Sequence, residues 1–232
     1  MPNWCNTDYR FYGKPEDIAA FHNKLLEWIS KSAMENDFSD NWLGNILIGA
    51  GFDYEANEAE KIEGWGHIRC RGSLIYLDDI SIIDDNTAEF NATTETAWCA
   101  MPRLWLAVIQ KYGWEIKFDF LEVEPGMSVY CQFYGDEPQD TEPQYYVDSY
   151  GADSTGDETL KELLLELQGE NVLTEEELKE SLVRVLRHEK DLYELINEAI
   201  ALYHRATEKS EDVFLSINGI DVIGMEEIME NG

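Results

Sequence analysis

Two pairs of adjacent carboxylates, Asp78-Asp79 and Asp84-Asp85, come nearest in type and spacing to a binding chemistry. Side-by-side carboxylates bring several oxygen ligands together and so could hold a hard cation. Against that stands the ordinary use of acidic pairs beside a hairpin, as turn and solvent-face residues, and this reading outweighs the metal one. The stretch from Asp148 to Glu158 is rich in Asp, Ser and Gly, but it lacks the spacing of a calcium loop and the chelating glutamate that closes one. It reads as a linker.

Nucleophilic chemistry has a similar standing. Cys5 or Cys99 with His67 could form a thiolate and base, but an acidic surrounding raises a thiol pKa. The four cysteines, Cys5, Cys70, Cys99 and Cys131, lie far apart without a C-x-x-C pair, so they read as small core residues in a reducing compartment. His22, His188 and His204 are not paired at metal-ligand spacing. Trp4, Trp65, Trp98, Trp105 and Trp114, with Tyr130 and Tyr134, suggest a base-stacking platform. Such a platform needs Lys and Arg around it, and only Arg69 and Arg71 lie close to a strand, so an aromatic core is the default. Gly49-Ala-Gly51 lacks the lysine and the following helix of a phosphate-binding loop. No cofactor is implied.

Composition narrows the function classes further. The chain carries 48 Asp and Glu against 17 Lys and Arg, a formal net charge of -31. That field repels phosphate backbones and anionic lipid, so neither direct nucleic-acid binding nor membrane binding is expected. A protein partner with a basic surface fits it better. With 44% apolar and 12% aromatic residues, 232 residues suffice for one large or two small cores. No stretch approaches the roughly 18 apolar residues of a membrane span, and the first ten residues lack the pattern of a secretory leader. A cytoplasmic location is expected.

The elements that must position these residues follow from periodicity. Trp4 to Tyr12 reads as a strand, and Pro15 opens a helix with Ile18, Phe21, Leu25, Trp28 and Ile29 on one face. Residues 36–60 have no steady period and read as an ordered insertion. His67 to Ile83 and Thr87 to Thr94 are strand-like, and Pro102 to Gly113 bounds a second amphipathic helix. Trp114, Ile116, Phe118 and Phe120 alternate with polar residues, as do Met127, Val129, Cys131 and Phe133. A hairpin pairing Phe118 with Phe133 and Phe120 with Cys131 aligns the two apolar faces, with a Pro125-Gly126 loop longer than two residues.

These elements predict an α+β chain whose residues 1–151 form a ferredoxin-like antiparallel sheet with two helices on one face. Residues 152–232 are expected to be an acidic linker and a helical region. There Thr174 and Glu177 form a capping box, and residues 174–207 form one helix or two with a kink near Asp191. A short strand closes the chain, and dimerisation through the C-terminal helices is an expected use of their apolar stripes.

Met1-Pro2-Asn3-Trp4-Cys5-Asn6, Thr96-x-Trp98 followed by Pro102, Glu124-x-Gly126, and the aromatic-x-Gly of Phe133 to Gly135 together resemble the YubB-like family. Its members are plasmid- and phage-borne proteins of uncharacterised function. The resemblance covers residues 1–151 in patches and implies a ferredoxin-like domain and a mobile-element setting, with no catalytic residues to carry over. The expected function is non-enzymatic binding of a protein partner through an acidic surface, with nucleic-acid mimicry as its sharpest form. Asp136, Glu137, Asp140 and Glu142 are the candidate partner-binding residues. A metal-dependent enzyme or sensor using the acidic pairs is the alternative.

Overall fold

Along Cys5, Thr7, Tyr9 and Phe11 every second side chain is buried while Asn6, Asp8 and Arg10 are exposed, the period of a strand with one covered face. This strand is central to the first of two compact units. The computed structural model describes residues 3–30, 41–127, 129–136, 143–207 and 212–231. One unit comprises Met1–Pro138 with Val222–Gly232, the other Gln139–Asp221.

The first unit runs β1 (Trp4–Gly13), α1 (Pro15–Ile29), α2 (Leu43–Gly49), α3 (Tyr54–Glu58), β2 (Gly72–Leu77), β3 (Ser81–Ile82), β4 (Ala88–Ala97), α4 (Pro102–Tyr112), β5 (Ile116–Glu124) and β6 (Val129–Phe133). The second runs β7 (Gln144–Tyr150), α5 (Glu158–Glu166), β8 (Gly169–Thr174), α6 (Glu175–Leu186), α7 (Leu192–Thr207) and β9 (Phe214–Gly219). The chain then supplies β10 (Asp221–Val222) and α8 (Met225–Asn231).

The fold is α+β, as the periodicity predicts. A seven-stranded sheet has the order β10-β6-β5-β1-β4-β2, with β3 beside β4. Its β1–β4, β1–β5, β2–β4 and β5–β6 ladders are antiparallel. The sheet as a whole is mixed rather than purely antiparallel, which corrects the expected architecture. The β5–β6 hairpin also differs from the expected register: Phe120 faces Phe133 and Glu122 faces Cys131. The slip is two residues, so the buried face is conserved, because side chains repeat every second position. The turn at Pro125–Met127 is a single 3-10 turn, longer than two residues as proline requires.

On the covered face Ile18, Phe21 and Leu25 of α1 and Leu104, Trp105 and Val108 of α4 meet Tyr9, Phe11, Phe90 and Phe118. Phe11 lies 5.1 Å from Phe90 and 5.4 Å from Trp105, centroid to centroid, within the range of favourable aromatic pairs. Pro102 opens α4 and Gly113, at φ 69°, ends it, as their types dictate. The opposite face is polar around Arg10 and Asp8, with Leu121, Val123 and Tyr130 on it further along β5 and β6. Arg10 bridges Glu89 and Asp119, and Thr93 donates to Asp8.

The second unit corrects the domain reading. Gln144–Tyr150 is the centre of a separate antiparallel sheet, β8-β7-β9. The unit boundary therefore falls before 151, and this region is not a linker followed only by helices. The strand at Gly169–Thr174 is short, contains Glu170 and Asn171, and is held by its ladder to β7, so local propensity gives no sign of it. The capping box of Thr174 and Glu177 is present. Residues 174–207 form two helices: α6 stops where Arg187 turns to φ 62°, and Asp191 accepts from the Glu194 N–H to start α7. After β9 the chain returns to the first unit, where Ile228 of α8 is buried in the core.

Candidate functional site

Toward one end, the covered face of the first sheet changes character. Where Phe11, Phe90 and Phe118 sit at one end, the same strands place Cys5, Thr7, Thr94, Thr96, Glu122 and Glu124 at the other, all buried. Glu122 Oε1 accepts the Ala100 N–H at 3.0 Å and the Cys5 thiol at 3.5 Å. The Tyr9 hydroxyl accepts the Met101 N–H at 3.3 Å. These two groups satisfy backbone donors just ahead of α4, so the carboxylate and phenol anchor the segment from Trp98 to Met101.

Residues 3–6, Thr96 to Pro102 and Glu124 to Gly126, three of the patches that carry the family resemblance, meet here, whereas Phe133 to Gly135 lies beside Phe118 and Phe120 at the aromatic end. Cys5 pairs with Thr96, the Asn3 carbonyl accepts the Trp98 N–H at 3.0 Å, and the Thr96 hydroxyl donates to the Cys99 carbonyl at 2.7 Å. Gly126 packs beside this segment: a Cβ there would fall 2.9 Å from Asn3 Nδ2 and 3.0 Å from Glu124 Oε1, the ends of two side chains that would have to move. Trp98 takes φ 70°, a left-handed conformation that a bulky side chain rarely adopts.

Beside this segment opens a cavity of about 560 Å³ lined by Trp42, Tyr54, Glu58, His67, Arg69, Cys70, Arg71, Ala97, Trp98, Cys99 and Met101. Its volume falls in the range of small-ligand pockets. The Arg71 guanidinium lies over the Trp98 ring at 4.6 Å from the centroid, and Arg69 donates to Cys99 Sγ at 3.6 Å. Arg103 stands behind them, bonded to the Trp65 carbonyl, and burial followed by the nearby Arg69 charge lowers its pKa. Glu58 and His67 stand 3.5 Å apart on the wall.

Two backbone devices aim these side chains. Asn57, fully buried, donates to the Ile68 carbonyl at 2.9 Å and accepts its N–H at 2.7 Å, fixing the residue before Arg69. Gly72 lets the next residue after Arg71 press against β4, since a Cβ there would meet the Glu95 carbonyl at 2.4 Å. The Ala97 N–H then reaches the Arg71 carbonyl at 2.9 Å.

The thiols here are not activated nucleophiles. Burial and then the Glu122 charge push Cys5 up to about 12, and burial and then Glu58 push Cys70 up to about 12. Cys99 and His67 do line one cavity, but burial and Glu122 raise the Cys99 thiol despite the opposing Arg69. Glu122 itself is raised above the usual carboxylate value, first by burial.

The acidic candidates are dispersed. Asp78 accepts from Asn91 Nδ2 at 3.2 Å, and its carbonyl lies 2.8 Å from His22 Nε2. Asp84 accepts the Asn86 N–H at 2.7 Å in a turn, and Asp79 and Asp85 are exposed. Among the described residues no group of three or more His, Cys, Asp or Glu side chains is placed to hold a metal ion. Asp136 is exposed and paired with Lys117 and Tyr12, while Glu137, Asp140 and Glu142 lie outside the described residues. The aromatic platform is also divided: Trp105 is core, whereas Trp98 is exposed at the cavity. Asn57, Trp42, Tyr54 and Arg103 escape sequence reasoning; the one visible signal is Arg69-Cys-Arg71 in a chain so poor in bases.

Comparison with family models, with curated proteins and with solved structures finds no match. Among the described residues no helix is long and apolar enough to cross a membrane.

Proposed function

We propose that the protein is a non-enzymatic binding protein that engages a basic protein partner through its acidic surface, in its sharpest form as a nucleic-acid mimic. The observation that carries this reading is how the scarce cations are used. Arg10, Lys14, Lys24, Lys117, Lys161, Arg184, Arg187 and Lys190 each pair with a carboxylate of the chain itself. Such exposed pairs stabilise little, typically below about 1 kcal/mol. Their consequence is electrostatic: the positive charge is neutralised locally and the carboxylate excess of a -31 chain faces solvent.

The candidate acid, base and nucleophile groups support a binding role too. Glu122 and Tyr9 hold backbone N–H groups, and the Cys5 and Cys70 thiols are pushed away from ionisation. The strand order β5-β1-β4-β2, with α1 and α4 as crossing helices, supports a ferredoxin-like plan for the first unit and kinship with the YubB-like proteins.

The test is displacement. A fluorescent duplex prebound to each of a panel of basic DNA-binding proteins is titrated with the full chain at about 50 mM and about 200 mM salt. The expected result is release from at least one panel member at low salt, weakened at high salt. Failure to release the duplex from any of them at low salt removes the mimic reading.

A further inference from the structure

We propose that the cavity between the Trp98 segment and Arg69–Arg71 is a binding site for a free mononucleotide, the base held among the aromatic walls and the phosphate by the arginines. This goes beyond the acidic-surface reading and concerns a different part of the molecule's chemistry. Three observations converge on it.

The first is charge placement. In a chain with 17 basic residues, Arg69 and Arg71 both line one small cavity, and Arg103 lies near enough to Arg69 to feel its charge. Two guanidiniums and a single carboxylate, Glu58, line the cavity, so its charged side chains leave a net positive site for an anion. Arg71 has no carboxylate partner among the described residues; its guanidinium lies over the Trp98 ring. A guanidinium is also the side chain best shaped to grip phosphate oxygens in pairs.

The second is the rest of the lining. Trp42, Tyr54, Trp98, Ala97 and Met101 make a largely apolar lining, which inorganic phosphate alone would leave unfilled. A flat heteroaromatic body would cover it by stacking, a contact every base can make. Glu58 on the same wall offers an acceptor to a base N–H, and its charge disfavours a second phosphate nearby. A monophosphate suits this balance better than a triphosphate.

The third is strain. Trp98 is held at φ 70° by its bond to the Asn3 carbonyl and by the anchored segment that follows it, and the residue stays 44% exposed. Backbone strain of this kind costs on the order of 1–3 kcal/mol and persists where surrounding structure overdetermines it, a pattern concentrated at ligand sites. Here the strain places an exposed indole under Arg71 at the cavity wall.

The experiment uses the full chain. AMP, GMP, CMP and UMP are titrated by calorimetry and by quenching of tryptophan fluorescence, with adenosine, inorganic phosphate and a 5′-phosphorylated tetranucleotide as further probes. The expected result is saturable binding of at least one mononucleotide, at least about tenfold tighter than adenosine or phosphate, since a charge-assisted bond to phosphate carries that much. R71Q is expected to weaken binding about tenfold or more, R71K by less, and R187Q, in the other unit, not at all. Circular dichroism of each variant confirms folding. No saturation by any mononucleotide at millimolar concentration overturns the proposal, as does equal affinity for adenosine or an R71Q affinity equal to the parent. Tighter binding of the tetranucleotide than of any mononucleotide overturns it in favour of a strand end. None of these outcomes depends on the duplex-displacement assay, so the two proposals fail separately.

Discussion

The two ends of the first sheet are made by the same strands and do opposite things. At one end Phe11, Phe90 and Phe118 interlock with Phe21 and Trp105 under α1 and α4. At the other, Cys5, Thr7, Thr96, Glu122 and Glu124 occupy the equivalent inward positions, and the buried carboxylate is spent on the N–H of Ala100. Apolar burial is non-directional and tolerates small shifts, whereas a buried polar group is stable only with its partner in place. The difference teaches that the aromatic end holds the unit together and the polar end fixes the geometry of one segment, from Trp98 to Met101, that walls the cavity.

The comparison breaks if the two ends respond alike to substitution. The largest effect is expected for Phe11→Ala, a loss of about 3–5 kcal/mol in urea denaturation with the cavity's ligand affinity unchanged in the folded fraction. Asn57→Ala removes two buried hydrogen bonds to Ile68 and is expected to cost about 1–3 kcal/mol. It should also weaken any ligand held by Arg69, a combination that Phe11→Ala does not give. A mutant that loses stability without losing affinity would show that Asn57 supports the core and not the pocket.

A smaller, pH-dependent effect is expected at Glu122. Its carboxyl is raised by burial above the usual 4.5, so the folded chain holds that proton more tightly than the unfolded one. The linked stability is fully present below the unfolded value and is lost as pH rises through the folded one. Glu122→Gln, which still accepts the Ala100 N–H, should therefore be more stable relative to the parent at pH 7 than below 4.5. Denaturation midpoints of both proteins at the two pH values decide it. A difference that does not change with pH refutes the assignment.

The smallest structural perturbation is read by thiol labelling. A rise from 9.0 to about 12 lowers the thiolate fraction of Cys5 and Cys70 about a thousandfold at pH 8, before any protection by burial. Both should stay unlabelled in the native protein and react once it unfolds. Rapid native labelling of Cys5 would mean that the polar end opens readily, and the contrast between the two ends would then be one of mobility.

Much of this architecture is legible in the residues themselves. The inward positions of β1 and β5, the proline start and glycine stop of α4, and the capping box at Thr174 all depend on neighbours within a few positions. Period and cap chemistry act over that range, so the sequence determines them by itself. Tertiary structure decided what depends on distant partners. The hairpin register moved by two because either alignment buries the same face, and packing selects between them. Gly169–Thr174 became a strand because β7 was there to pair with it, and the expected fold lacked its second sheet for that reason. The cavity is the clearest case. Its walls come from Trp42, Tyr54, Arg69 and Trp98, on separate segments joined only when β2 and β4 pair, so no local pattern could place an arginine over that tryptophan.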